Sequence, residues 1–360
     1  MKVALLHYWL TNIRGGEKVF LELCKMFPDA DIFTHVISPD IKEKYFSDRN
    51  IHTSFISKLP YAKKLYKNYM PLMFKAARGF DLKGYDLIIS SESGPIKGIK
   101  KPRKAKHICY CHTPVRYIWD MFDNYYQFAP FYKKIAMRLL KKYLRKQDLL
   151  SAKSVDAFIV NSNFVKERVQ RIYSREAQVI YPPTDVNFFQ GSTNAHQSNY
   201  YLMAGELVQY KRPDITVEAF NQNGKKLIIS GIGEELNSLK SSAKSNITFA
   251  GRVSNEELRD LYSNAQALIF PGIEDFGMVP LEAQAAGTPV IAYAGGGALE
   301  TVIDRETGLF FPEQTPESLN SAIDEFENLQ EIFDSKKIKL HTKTFSQQRF
   351  ITEFKNLLGM

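Results

Sequence analysis

Two carboxylates, Glu274 and Glu282, stand eight positions apart in the stretch EDFGMVPLE, with Gly277 and Pro280 between them. An ionised carboxylate offers acceptor oxygens and no donor, so it can take both hydroxyls of a vicinal diol, as on a ribose or a hexose. The pair follows an apolar run, AQALIFPGI, and leads into AQAAGTPVIAYAGGG. The first acid therefore sits in the loop where a buried strand ends, and the second on the helix entered through the Gly277 turn. Glu282 is placed to take the ribose 2′- and 3′-hydroxyls, and Glu274 those of a second sugar. Lys211 and Arg212, in GELVQYKRPD, are the cations that could neutralise a diphosphate between them. Glycines collect at neighbouring strand ends, Gly231 and Gly233 after KLIIS and Gly295 to Gly297 after PVIAY, where they let backbone approach a phosphate.

The elements that must position these groups alternate between strand and helix along the chain, the pattern of parallel sheets flanked by helices. KVALLHY, DIFTHVI, DLIISSE, KHICYCH and DAFIVNS read as strands of a first α/β domain, residues 1–185. QGSTNAHQSN is polar and poor in apolar residues, and a linker is expected over 186–198. The alternation restarts at YYLMAGEL and runs through a second doubly wound domain, 199–344. Local signals fix several helix starts: Ser162 or Asn163, Pro213, Pro316, and Ser254 with Glu257 three residues on as a capping box. In such sheets ligands bind beyond the carboxyl ends of the strands, and a cleft between the two domains is expected to hold one. GIGEEL breaks the dinucleotide fingerprint at its last position, which argues against a nicotinamide-dependent oxidoreductase.

The 360 residues carry a net charge of +9, unevenly spread. Residues 1–190 hold 33 Lys+Arg against 17 Asp+Glu, and the remainder 15 against 22. The basic surplus concentrates in YAKKLYKNYMPLMFKAARGF and FYKKIAMRLLKKYLRKQ. In the second, Tyr132, Ile135, Leu139 and Tyr143 share one helical face, the pattern of a helix lying on an anionic membrane surface. A docked helix with a solvated basic back is the plainer alternative. No nucleic-acid-binding motif accompanies the charge, so no nucleic acid partner is expected. No apolar stretch reaches membrane-spanning length, and no cleavage site follows the first strand, which places the protein in the cytoplasm. Cys24, Cys109 and Cys111 form no disulfide framework. His107, Cys109 and Cys111 alternate along one strand, but without a second pair of ligands they read as core. The DAD at Asp29 to Asp31 falls on a turn, where acids are solvated; no metal and no other cofactor are expected.

The stretch PGIEDFGMVPLEAQAAGTPVIAYAGGGALETV resembles the E-x7-E region of the retaining, GT-B-fold glycosyltransferases of family 4. FAGRVSNEELRDLYSNAQALIFPG and YKRPDITVEAF are similar to the C-terminal half of that family, and RGGEKVFLEL and CHTPVRYIWD to its N-terminal half. HTPVRYIWDMF with YKRPD most resembles bacterial mannosyltransferases that use GDP-mannose to build O-antigens and other surface polysaccharides. The resemblance implies two Rossmann-like domains, the N-terminal one binding acceptor, with a last helix, 345–360, crossing back onto it. It implies that Glu282 holds the ribose, that Glu274 with the backbone N–H groups of Phe276 and Gly277 holds the donor sugar, and that Lys211 meets the diphosphate. His112 would contact the donor sugar, Gly15 and Gly16 would let the first loop close over the phosphates, and Arg252 and Val253 would flank the base. Arg116 and Trp119 are either acceptor-side residues or an ordinary packed loop.

Catalysis would be a front-side displacement with retention, resting on positioning and on charge stabilisation at the leaving group by Lys211. The implied acceptor is a polyprenyl-diphosphate-linked glycan at the inner face of the bacterial inner membrane. One position departs from the family pattern: Glu206 stands where members usually carry Arg, so Lys211 and Arg212 must carry more of the diphosphate charge. A UDP-sugar donor, or a catalytically silent nucleotide-sugar-binding protein, are the alternatives.

Overall fold

The computed structural model describes residues 1–190 and 199–360. Short apolar runs covered on both faces pair as parallel strands, as the sequence pattern requires. Seven form one sheet: β1 (Val3–His7), β2 (Asp31–Thr34), β3 (Ile51–Thr53), β4 (Leu87–Glu92), β5 (Lys106–Cys111), β6 (Ala157–Val160) and β7 (Ala177–Val179). Their order is β3-β2-β1-β4-β5-β6-β7. A second sheet contains β8 (Tyr201–Ala204), β9 (Leu227–Ser230), β10 (Ile247–Gly251), β11 (Leu268–Phe270), β12 (Val290–Tyr293) and β13 (Gly308–Phe311), in the order β10-β9-β8-β11-β12-β13. Each sheet reverses its strand order once, between β1 and β4 and between β8 and β11. Those reversals are the switch points at which open α/β sheets leave room for a ligand.

The chain divides into two units, Met1–Tyr181 with Glu353–Met360, and Pro182–Thr352. The stretch read as a linker opens with a short helix, Val186–Gln190, and its remainder, 191–198, lies outside the described residues. In the second unit the expected caps form. Ser254 Oγ accepts from Glu257 N at 3.1 Å while the Glu257 carboxylate accepts from Ser254 N at 2.8 Å.

The first unit carries an unusual polar core. Lys97, fully buried, pairs with Glu92 at 2.7 Å and with Asp148 at 2.8 Å. The second oxygen of Asp148 accepts from Trp119 Nε1 and from Tyr173 Oη, each at 2.8 Å. An ion buried this deeply is tolerable only when its hydrogen bonds are met, and removing one member would strand a charge. The network ties the end of β4 to the helix Phe131–Ala152 and to the loop that follows β5. That helix buries Leu144, Asp148, Ser151 and Ala152, whereas Phe131 (79% exposed), Tyr132 (68%) and Leu139 (75%) face solvent. The apolar face read from the sequence is therefore the outward one. No helix among the described residues is long and apolar enough to cross a membrane.

Candidate active site

In the second unit the loops after β8 and β11 leave the switch point side by side, and their contact sets the geometry of the charged groups. The chain beyond β8 turns through Gln209–Lys211 and then places Arg212 in the left-handed region (φ 53°), ahead of Pro213 and the helix Pro213–Asn223. A non-glycine residue there is strained, as is common at functional turns. Beyond β11, Gly272 passes under that turn so closely that a Cβ would come within 2.6 Å of Lys211 Cα. The two backbones thus hold Lys211 and Glu274, 63 positions apart, in register. Lys211 Nζ lies 2.7 Å from Glu274 Oε1, a close ion pair. Both side chains are mostly buried, 15% and 19% exposed. Burial works against the lysine's charge, but the Glu274 carboxylate, with smaller contributions from Tyr210 and Glu206, outweighs it and raises the pKa above the usual value. Lys211 is an ammonium throughout the neutral range.

Glu282 sits on the helix Met278–Ala286, which opens at Gly277 in the left-handed conformation (φ 98°). The residue is 6% exposed, and Oε2 accepts a long hydrogen bond of 3.4 Å from Tyr262 Oη. Burial, followed by Glu282, pushes the Tyr262 phenol well above its ordinary pKa, so it stays a donor. Phe276 is buried, with its ring 5.8 Å from that of Phe345. Gly297 N donates to Glu274 O at 2.8 Å, and a Cβ on Gly297 would lie 2.2 Å from Phe276 Cα. The glycine run after β12 therefore supports the Glu274 loop from behind. Gly231 and Gly233 act similarly: a Cβ on either would fall about 2 Å from the carbonyl oxygens of Gly205 and Leu207, at 1.8 and 2.1 Å. At Gly297, Gly231 and Gly233 the absent side chain makes room for main chain packed on main chain.

Arg212 does not join the cluster. Its guanidinium is engaged with Asp214, two residues on, by three hydrogen bonds of 2.8 to 3.1 Å. Arg252 is exposed and Val253 half-buried, just beyond β10 at the sheet's edge. Glu206 lies near enough to Lys211 to add to its charge stabilisation.

In the first unit the loops after β1, β4 and β5 meet. His112 follows β5, its N donating to Glu92 O at 2.8 Å and its Nε2 lying 2.9 Å from Ser91 Oγ. Burial, then His7 and Arg116, pushes its pKa down to about 3, so the ring is neutral. Gly15 opens the helix Gly15–Met26, and a Cβ on Gly16 would stand 3.4 Å from His112 Nε2 and 3.5 Å from Tyr8 Oη. Sequence reasoning missed Tyr8, Ser91 and the buried pair His7 and Glu17, which are 3.5 Å apart. The signal was present in Glu17, an acid on the inner face of the helix that RGGEKVFLEL begins. His107 has its two ring nitrogens 2.9 Å from Ser90 Oγ and 3.1 Å from Ser154 O, and Cys109 and Cys111 pack among apolar side chains. That cluster is core.

Residues 13–188 match the family model described as Glycosyltransferase Family 4, and residues 186–340 the model described as Glycosyl transferases group 1. The O-antigen chain mannosyltransferase RfbU of Salmonella typhimurium is 26% identical over 313 residues, 80% of this chain and 86% of that protein. A D-inositol 3-phosphate glycosyltransferase of Mycobacteroides abscessus is 31% identical over 47% of this chain and 44% of its own. Among solved structures, Anabaena Alr3699/HepE in complex with UDP and glucose superimposes with a TM-score of 0.74 at 16% identity, covering 100% of this chain and 99% of that one. Two Rossmann-like sheets, a full-length likeness to a glycosyltransferase fold, and two abutting family models that together span residues 13–340 lead to one assignment: the chain belongs to the GT-B-fold glycosyltransferases of family 4.

Proposed function

We propose that this glycosyltransferase moves mannose from GDP-mannose, with retention of configuration, onto a lipid-linked glycan during surface polysaccharide synthesis. The observation that carries the reading is the Lys211–Glu274 pair at the second switch point, 2.7 Å apart, with Glu282 on the adjoining helix. A nucleotide sugar needs a cation for its diphosphate and acceptors for two sugars, and this cluster has that composition. Lys211 exchanges Glu274 for the diphosphate when donor binds, freeing the carboxylate for the hexose hydroxyls beside the N–H groups of Phe276 and Gly277. Glu282 takes the ribose, and Arg252 and Val253 border the base. In the first unit, neutral His112 is assigned to hydrogen bonding with the transferred sugar, and Gly15 and Gly16 to a loop that admits the phosphates.

The reaction breaks the bond between the anomeric carbon and the diphosphate oxygen and forms one to an acceptor hydroxyl on the same face. The hydroxyl proton passes to the departing diphosphate. Negative charge grows on that leaving group, and Lys211 is already charged and largely desolvated where it appears, which is where a fixed cation is most effective. The choice of mannose and of an O-antigen type of acceptor rests on the likeness to RfbU, and a UDP-sugar is the alternative favoured by HepE. The outward apolar and basic face of the helix Phe131–Ala152 supports peripheral contact with an anionic bilayer at the cytoplasmic side, where each basic residue contributes about 1 kcal/mol. Incubation with GDP-mannose and lipid-extract acceptor, followed by NMR of the product anomer, tests the reading. An α-mannoside supports it; turnover of UDP-sugars alone, or an inverted product, rejects it.

A further inference from the structure

A pocket of about 520 Å³ opens on the surface of the first unit where Trp119 meets the C-terminal half of the helix Phe131–Ala152. Its floor is apolar: Trp119, Leu149 and Leu150, the two leucines 39% and 42% exposed. Its rim is cationic: Lys142, Arg145, Lys146 and Lys153. On the helix these six positions fall at spacings of three and four, so they share one face. Lys142, Lys146 and Lys153 are exposed and form no ion pair among the described residues. The helix dipole favours cations only within the last turn, where this helix has none, so it accounts for neither Lys142 nor Lys146. Nor does it account for the two solvent-facing leucines beside them, or for Lys142 and Lys146 at a mutually repelling spacing of four.

The floor is also built rather than incidental. Arg145 lies over the Trp119 ring, 4.7 Å from its centre, and donates through Nε to Ile118 O at 2.7 Å. Trp119 Nε1 is fixed at 2.8 Å by Asp148, which is fully buried and held in turn by Lys97 and Tyr173. The volume is in the range of small-molecule sites. A free diphosphate would satisfy only the rim, and a hydrocarbon only the floor. We propose that this pocket binds the phosphate end of the acceptor's lipid carrier, the cations holding one or two phosphates and the Trp119–Leu149–Leu150 floor holding the first units of the chain. The inference rests on the lipid-linked acceptor of the function proposed above. It also gives Trp119, seven positions after His112 on the loop beyond β5, a binding role.

The test is calorimetry on the full chain with farnesyl diphosphate, inorganic diphosphate and farnesol, in the presence of saturating GDP so that Lys211 is occupied. Farnesyl diphosphate is expected to bind at least tenfold more tightly than either half alone. The triple variant Lys142→Gln, Lys146→Gln, Lys153→Gln is expected to weaken it tenfold or more, and Leu149→Asn with Leu150→Asn several-fold. Equal affinity for inorganic diphosphate, or affinity unchanged in both variants, overturns the site. So does an absence of farnesyl diphosphate binding in a protein that still sediments with phosphatidylglycerol vesicles through these lysines, since the face would then be a general bilayer contact. GDP binding is read separately in every variant. Its failure in the wild type would remove the donor assignment, whatever the lipid result.

Discussion

The two switch points are made from different material. After β8 and β11 the second unit packs main chain on main chain, with Gly272 under Lys211 and Gly297 against Phe276, so the Lys211–Glu274 pair sits on a backbone frame with little room to yield. After β1, β4 and β5 the first unit fills the corresponding space with side chains: His112 on Ser91, His7 beside Glu17, and Lys97 between Glu92 and Asp148. A backbone frame fixes position and depends on glycine. A side-chain frame can be altered piece by piece, but it depends on the protonation of buried groups.

That contrast breaks most visibly with acid. Burial drives His35 and His107 down to about 4 and His112 to about 3, all three in the first unit, while in the second burial also lowers His341. Above the unfolded value of about 6.5 the folded and unfolded rings are both neutral and contribute nothing to the pH dependence. As pH falls below it, the unfolded chain takes up protons that the folded one refuses, at a cost of up to about 1.4 kcal/mol per histidine for each pH unit. The first unit is expected to lose stability steeply between about pH 6.5 and 4. Hydrogen exchange resolved by unit checks this, and parallel loss in both units would refute the side-chain account. For the same reason no titration of His112 should appear in the activity profile between pH 5 and 8.

Lys211→Ala removes the cation proposed to meet the leaving group. It is expected to lower kcat by roughly 10²–10³-fold, the size of effect seen when a fixed group that stabilises transition-state charge is lost. Steady-state kinetics with matched circular dichroism would measure it, and a change confined to KM would contradict the assigned role. Gly297→Ala should cost about 1–3 kcal/mol of stability in the second unit, because the added methyl meets Phe276 backbone. Gly16→Ala, whose methyl would reach only side-chain atoms at 3.4 Å and beyond, should leave the melting temperature nearly unchanged while impairing turnover. Differential scanning calorimetry of the pair sharpens the comparison directly. The smallest effect expected is at Glu206: Glu206→Gln should tighten nucleoside diphosphate binding about three- to tenfold, by removing a negative charge near Lys211.

Much of this was legible in local sequence. The Ser254–Glu257 box, the Ser162 cap on Val165 N and Pro213 at its helix start all formed, because each signal acts within a few residues. The alternation of apolar runs and helices gave the two doubly wound sheets, and Glu274 and Glu282 stand on the loop and helix where the spacing put them. What was not legible depends on chain segments far apart. Nothing local joins Lys97 to Asp148 across 51 positions, or tells Gly297 that it will lie against Phe276. Periodicity found the amphipathic face of the helix Phe131–Ala152 and left two directions for it, bilayer or core; the structure turns that face to solvent and buries Leu144 and Asp148 on the other side. Arg212 is a different case: Asp214, two residues on, was in plain view as its partner.

The central claim is that Glu282 holds the ribose of a guanine nucleotide at the second switch point. Calorimetric titration of GDP, UDP and ADP into the wild type and into Glu282→Ala tests it most directly. The account predicts tight GDP binding, weaker binding of the other two, and a loss of at least tenfold in the variant. GDP binding equally well to both proteins, or no nucleotide binding to either, would contradict it.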